Sequence, residues 1–420
     1  MTPAKALRSR RFLPALALAA GLLACRPDEQ GGTTAMSSPA PPVRIEPGQT
    51  VVRPLAAGDI HPYLVRLTAG DYVRVAAEQR GVDLVLRLYD PGDERSRDVD
   101  SSYGPREAER ISTVADAAGD FTFEVQGGEG TPPGTYEIRI EEREPATVAH
   151  RQRVEAELAF QEGEALRRQG EYEGAGVRYR QALNLYRESG DRIGQADALH
   201  RLGWMQVGLD RWADAVATLR SAEALLRETG NRTGAAEALV WQGRMLGRLG
   251  HYEEASASLA QALALFRETG NVDGEATALQ NQGNVRQWSG QPQEAIEHYD
   301  QALALWQQLE NRAEEAQTLL SLGDLYLGRG RWPEARDHLE RALRLAEEAG
   351  RRDRAAVALE SLGDLDQREG RVATARQRLE QALTLYRELE HRRGQAQALN
   401  TLGTALLKSG EPAAARDRYE

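Results

Sequence analysis

The chain has little cysteine and little lysine. Of its 420 residues one is cysteine, Cys25, and two are lysine, Lys5 and Lys408. A single thiol excludes an intrachain disulfide framework, a zinc cluster built on thiolates and a CxxC redox pair. Basic excess is missing too, since 64 acids stand against 53 bases for a formal net charge of -11. Neutralising phosphates requires a basic face, so no nucleic-acid partner is assigned. Phe12 to Ala24 is an apolar run of 13 residues interrupted by Pro14. Spanning a bilayer takes about 17 to 25. What is present is 41% hydrophobic and 28% charged residues, neither a disordered polymer nor a multi-span membrane protein. The length suits roughly three ordinary domains, or one domain plus an elongated array.

Residues 1–25 read as a targeting segment, with Lys5, Arg8, Arg10 and Arg11 ahead of the apolar run. The run ends Leu22-Leu23-Ala24-Cys25, which resembles the lipobox of bacterial lipoproteins. The resemblance implies a diacylated Cys25 as mature N-terminus, a lipid bilayer as partner and a place in the bacterial cell envelope. Arg26 rather than Asp after the cysteine resembles the outer-membrane class, which favours that membrane over the inner one. An ordinary cleaved export signal, or a chance cysteine in a short anchor, stays open. Residues 26–43 (RPDEQGGTTAMSSPAPPV) read as a flexible tether.

From 44 to 144 the apolar period is two. Tyr63, Val65 and Leu67 alternate with Pro62, Leu64 and Arg66, and Val73, Val75 and Ala77 follow, then Leu84, Leu86 and Leu88, Phe121, Phe123 and Val125, and Tyr136, Ile138 and Ile140. Turns such as Ala69-Gly70-Asp71 and Pro91-Gly92-Asp93 separate them at the spacing of an antiparallel sandwich. The stretch GDIHPYLVRLTAGDYVRVAAEQRGVDLVLRLYDPGD, with AAGDFTFEVQG and GTYEIRI, resembles the bacterial pre-peptidase C-terminal (PPC-like) β-sandwich. That resemblance implies an accessory binding or spacing module. Asp90, Asp93, Asp98 and Asp100 would suit a hard cation. They do not fit the D-x-[DN]-x-[DN]-G loop, and Asp beside Pro and Gly is ordinary turn chemistry. His61 has no second histidine in the domain. No metal and no cofactor is assigned.

From 148 to 420 the sequence repeats every 40 residues. Gly163, Gly203, Gly243, Gly283, Gly323, Gly363 and Gly403 form one column, and Ala175 to Ala415 a second. Ala182 to Ala382 and Leu199 to Leu399 form two more. Each of seven units holds two segments of helical period around a turn with Gly170, Gly250, Gly290, Gly330, Gly370 or Gly410, Asp210 being the exception. The fold class is therefore multidomain, a small antiparallel β-sandwich followed by an all-α superhelix of helical hairpins.

The order in LGDLYLGRGRWPEARDHLERALRL from Leu322 resembles the tetratricopeptide repeat, usually 34 residues long. Six extra residues are expected in the link between hairpins, as in LFRETGNVDGEA. The seventh unit breaks off at Tyr419-Glu420, inside its second helix. Lipobox, PPC-like sandwich and long-period repeats in this order also resemble the N-terminal part of proteins ending in a CHAT domain, a caspase-related cysteine protease fold. No His and Cys dyad can be assembled here, so no catalytic residue is assigned and the chain is not read as an enzyme.

The resemblance places the groove on the first helix of each hairpin, two residues before and one after the column glycine. Those positions hold Arg201 and Trp204, Trp241 and Arg244, Asn281 and Asn284, with Trp288 one turn later. Ser321, Asp324, Ser361 and Asp364 follow. Guanidinium forks prefer carboxylates and stack on aromatics, and Trp with Arg is the composition of binding hot spots. The expected function is a membrane-tethered protein-interaction scaffold binding an acidic peptide segment. The alternative is the sensor part of a CHAT-type protease whose catalytic domain is not in this chain. Bare solvated side chains on a scaffold are the bland reading.

If Cys25 is acylated, the protein partitions into detergent and Cys25→Ala moves it to the aqueous phase, since stable attachment takes at least two chains. Equal partitioning of the two forms would remove the lipid anchor.

Overall fold

The structure is a computed structural model that describes residues 41–91, 96–99, 108–128, 131–408 and 410–419. Cys25 with the whole targeting segment, most of the tether, Asp93 and Asp100 lie outside the described residues. Contacts divide the chain into Met1–Ser38 and Pro39–Glu420, and all the described residues belong to the second unit. Among the described residues no helix is long and apolar enough to cross a membrane.

The strands are β1 (Val43–Arg44), β2 (Thr50–Leu55), β3 (Ile60–Leu67), β4 (Asp71–Arg80), β5 (Leu84–Tyr89), β6 (Ser96–Val99), β7 (Ala108–Val114), β8 (Gly119–Gly127) and β9 (Gly134–Pro145). They form two sheets, ordered β1-β3-β8-β5-β6 and β2-β9-β4-β7. Inward residues of period two meet between the sheets, where Tyr63, Val65, Val75, Leu86, Phe123 and Ile138 are fully buried. All pairings are antiparallel except β1 with β3, which runs parallel, a departure from the antiparallel sandwich expected. Asp59 and Asp71 serve the turns, their carboxylates accepting from the backbone N–H of Ala56 and Thr68, each at 2.9 Å. Of the acids considered for a cation, Asp98 pairs with Arg87 at 3.1 Å and Asp90 lies 4.0 Å from Arg97.

Helices follow in pairs: α1 (Val148–Arg168) and α2 (Tyr172–Ser189), α3 (Arg192–Gly208) and α4 (Trp212–Glu228), α5 (Arg232–Arg248) and α6 (Tyr252–Thr269), and α7 (Val272–Trp288) and α8 (Pro292–Gln308). The later pairs are α9 (Arg312–Gly328) and α10 (Trp332–Glu348), α11 (Arg352–Arg368) and α12 (Val372–Glu388), and α13 (Arg392–Lys408) and α14 (Pro412–Tyr419). The turn inside each hairpin is left-handed at its glycine, with φ between +72° and +85°, and Asp210 adopts the same conformation at φ 56°.

The extra residues of the long repeat do not lengthen the links, contrary to expectation. Only Thr229, Gly230 and Asn231 separate α4 from α5, and the additional residues extend α4 and α5 to 17 residues each and α6 to 18. A short link is possible because Asp191, Asn231, Asn271 and Asn311 cap the next helix, each accepting from the backbone N–H three residues on. A glycine or Glu310 in the left-handed conformation precedes each cap.

Packing explains the small columns. A Cβ on Gly203, Gly243, Gly323 or Gly363 would stand 2.5 to 2.7 Å from the side chain of Leu219, Leu259, Leu339 or Leu379 on the second helix, and Gly283 meets Tyr299 at 2.5 Å. Ala175, Ala215, Ala255, Ala295, Ala335 and Ala375 are wholly buried beside them. Gly243→Ala should lower stability by about 1 to 3 kcal/mol through overpacking. Gly328 is a helical glycine with open space around it. Gly328→Ala should be neutral or raise stability by up to about 1 kcal/mol. Thermal melts of the two variants check the contrast; equal effects would contradict the packing account.

Candidate functional site

Successive first helices touch one another along the array, α3 with α5, α5 with α7, and so on to α11 with α13. Successive second helices make no contact of comparable extent among the described residues. The array therefore curls with its first helices inside, and the residues flanking the column glycines face the concave side.

The aromatic and cationic part of this face runs through the second and third hairpins. Trp204 and Trp241 meet edge to face, 6.3 Å between centroids. Arg167 lies 5.4 Å from the Trp204 ring and Arg244 4.4 Å from the Trp241 ring. Arg244 makes no ion pair among the described residues; the charge of Glu314, itself held by Arg354 at 2.7 Å, acts on it from farther off. Burial and the neighbouring Arg248 charge push its pKa down. Arg248 itself stacks 5.5 Å from Trp212 of the preceding hairpin.

The other residues expected in the groove are more engaged than the sequence suggested. Arg201 is tied to Glu164 at 2.9 Å, and Glu164 also accepts from Tyr179 and Arg167. Asn281 is buried at 8% exposure, its Nδ2 donating to the Thr277 carbonyl at 2.7 Å. Asn284 stays on the open face, with the Tyr299 hydroxyl 2.8 Å from its Oδ1. Trp288, 43% exposed, lays its ring on Gly247, where a Cβ would come within 2.8 Å. Farther along, Ser361 donates to Asp324 at 2.7 Å, while Arg368 pairs with Asp364 at 2.9 Å. Burial and the Asp364 charge push the Asp324 pKa up.

The start of the groove carries no sequence signal of its own. The sandwich packs there on α1 and α3 through charged and polar groups that no repeat column marks. Arg74 of β4 reaches Asp191, the α3 cap, at 3.1 Å, and Arg153 of α1 reaches the same carboxylate at 3.0 Å. Arg153 also donates to the Tyr72 hydroxyl and to Glu142, both at 2.9 Å. Glu157 of α1 is buried and accepts from the Ser112 N–H at 2.9 Å and from its hydroxyl. Beside this seam, with Arg201 and Trp204 in its wall, opens a cavity of about 530 Å³.

One set of potential metal donors also forms at the seam. Glu142, Glu144 and His150 bring ligand atoms within 4.8 Å of one another. Two of the three are already committed. Glu142 is held by Arg153. His150 Nδ1 accepts from the Thr147 N–H in the α1 capping box, which puts the ring proton on Nε2, 3.3 Å from Glu144. A metal on Nε2 would need the other tautomer and would undo the cap, so the group suits a structural knot.

Among the described residues, seven antiparallel helix pairs of constant period, crossing through glycine and alanine columns, define a helical-repeat solenoid. Sequence models of the tetratricopeptide repeat match residues 155–228, 274–348 and 353–420, and a further one matches 236–269. The chain belongs to the tetratricopeptide-repeat family. No curated protein matches the sequence. Among solved structures, the apo form of RapI is 15% identical with a TM-score of 0.53, over 63% of this chain and 95% of that one. Aspartyl phosphate phosphatase F from Bacillus subtilis is 13% identical with a TM-score of 0.53, over 65% and 70%. A signal-transduction ATPase with numerous domains and a tetratricopeptide repeat sensor, from Pyrococcus horikoshii, is 15% identical with a TM-score of 0.50, over 64% and 40%. These likenesses concern the fold.

Burial pushes the Glu157 pKa up, against the pull of Arg74 and the hydrogen bonds from Ser112. A carboxyl with a higher pKa folded than unfolded favours folding fully below its unfolded value of about 4.3. That contribution is lost as pH rises through the folded value. Glu157→Gln should therefore flatten the pH dependence of melting and leave the protein at pH 8 at least as stable as wild type. A clear fall in melting temperature at pH 8 would mean that the attraction to Arg74 outweighs desolvation.

Proposed function

We propose that this protein is a non-enzymatic interaction scaffold whose groove binds an extended or helical acidic peptide segment, centred on the third and fourth hairpins. The observation that carries the reading is Arg244, stacked on Trp241 and in no ion pair among the described residues, with Glu314 acting on it only at longer range. A desolvated guanidinium on an indole face is a strong site for a carboxylate, because its planar fork can take two oxygens at once. Trp204 extends the aromatic wall on one side, while Asn284 and the exposed Trp288 continue it on the other. Asp324 and Asp364 farther along would repel acid and so set the register of the segment.

Tethering to a bilayer through Cys25 belongs to the same proposal and is supported by the Leu22–Cys25 motif and the Gly-, Ser- and Pro-rich stretch after it. The envelope, with the outer membrane favoured, is the proposed location. The order of targeting motif, sandwich and repeats also supports the second reading, a sensor part of a CHAT-type protease. In that case the groove would report its occupancy to a catalytic domain on a further segment.

Arg244→Glu should weaken partner binding by about 2 to 4 kcal/mol if the arginine pairs a carboxylate in the complex. The fold should survive, because Arg244 lies outside the alanine and glycine columns. Pull-downs of envelope proteins with wild-type and variant chains compare the two. Retention of the same partners would remove the groove assignment, and unfolding of the variant would make Arg244 a packing residue.

A further inference from the structure

We propose that the cavity between the sandwich and the first hairpins is a binding site for a carboxylate carried on a small apolar body. Its volume of about 530 Å³ suits an amino-acid-sized to short-peptide-sized ligand. It is a composite site, because Val85, Arg87 and Arg110 come from the sandwich whereas Phe160, Arg168 and Trp204 come from α1 and α3. Neither half encloses it alone.

The polarity of the ligand follows from counting donors against acceptors. Each guanidinium in the wall offers five N–H donors and no acceptor. The acids in the wall are already committed. Glu164 accepts from Tyr179, Arg167 and Arg201, and Glu157 accepts twice from Ser112. Asp191 caps α3 through Oδ1, and its Oδ2, which accepts no hydrogen bond, lies 3.1 Å from Arg74 and 3.0 Å from Arg153. Asp98 takes Arg87, Glu109 takes the Gln79 amide, and Asp197 has a partner of its own. Surplus donors remain. Arg168 lines the cavity with no acceptor among the described residues. Arg74, at 7% exposure, also lines it, but its charge is met by Asp191 at 3.1 Å and its Nε, which makes no hydrogen bond, lies 3.9 Å from Glu141. Each acid of the wall is held by a donor or a cation while Arg168 is not, so the site selects an anion, and the planar fork of arginine selects a carboxylate geometry. Phe160, Trp204, Val85 and Ile193 add apolar wall for the body that carries it.

The site does not rest on the groove reading, since an acid can fill the cavity with nothing on Trp241 and Arg244. The carboxylate could belong to a free small acid or to the end of a peptide chain. Isothermal titration of the full chain with N-acetyl-L-leucine, with its amide, and with an N-acetylated pentapeptide ending in a free leucine carboxylate tests the proposal. The acid should bind at least about tenfold more tightly than the amide, which lacks the charge. Arg168→Gln, at an exposed arginine with no ion pair, should weaken the acid several-fold and leave the amide unchanged, and Arg244→Glu should leave both unchanged. A pentapeptide tighter than N-acetyl-L-leucine would assign the site to a chain end, and equal affinity to a small acid. Equal binding of acid and amide, no binding at millimolar concentration, or indifference of the acid to Arg168→Gln would overturn the proposal. So would loss of acid binding on Arg244→Glu, because the acid would then sit in the groove.

Discussion

The architecture depends on a missing atom. At the first six hairpins the first helix approaches the second so closely that a Cβ on the column glycine would fall inside a leucine or tyrosine side chain. With hydrogen there instead, Leu219, Leu259, Tyr299 and their equivalents fill the space, and buried alanines on the second helix complete the contact. The close crossing fixes which face of each first helix is left over. That face is the groove, and because units repeat every 40 residues its side chains recur in register along the array. Glycine in a helix costs conformational entropy, so the column persists for its geometry rather than for helix propensity.

A second constraint operates at one end only. The seam of Arg74, Arg153, Asp191 and Glu157 fastens the sandwich to the first hairpins. Buried ion pairs add little net stability over an apolar contact, but removing one partner leaves a charge stranded in low dielectric. Such a seam therefore specifies orientation more than it strengthens the fold. It turns the start of the groove into a cavity walled by two modules, which sets Arg201 and Trp204 apart from the open positions at Trp241 and Arg244.

Much of the fold was legible because the informative contacts are local or periodic. The glycine and alanine columns, the left-handed turn glycines and the period-two cores of β3, β4, β5, β8 and β9 could be read directly from spacing. β2 and β7 were not, since β2 alternates around a single buried end residue and β7 carries Ser112 and Thr113 on buried positions. Link length was misread because the Asn and Asp caps, which allow links of two or three residues, look like ordinary turn residues in sequence. At the site, the concave placement of Trp241, Arg244 and Asn284 follows from the repeat. The burial of Asn281, the pairing of Arg201 with Glu164 and the seam to Ser112 are side-chain contacts across separate elements, and no periodic signal encodes them.

Hydrogen exchange of the full chain, with and without a protein partner captured on it, tests the central claim most directly. Occupied groove positions should slow exchange in α5 and α7 and leave α6 and α8 as they were. Protection confined to the second helices or to the sandwich would place the partner on another surface and contradict the account.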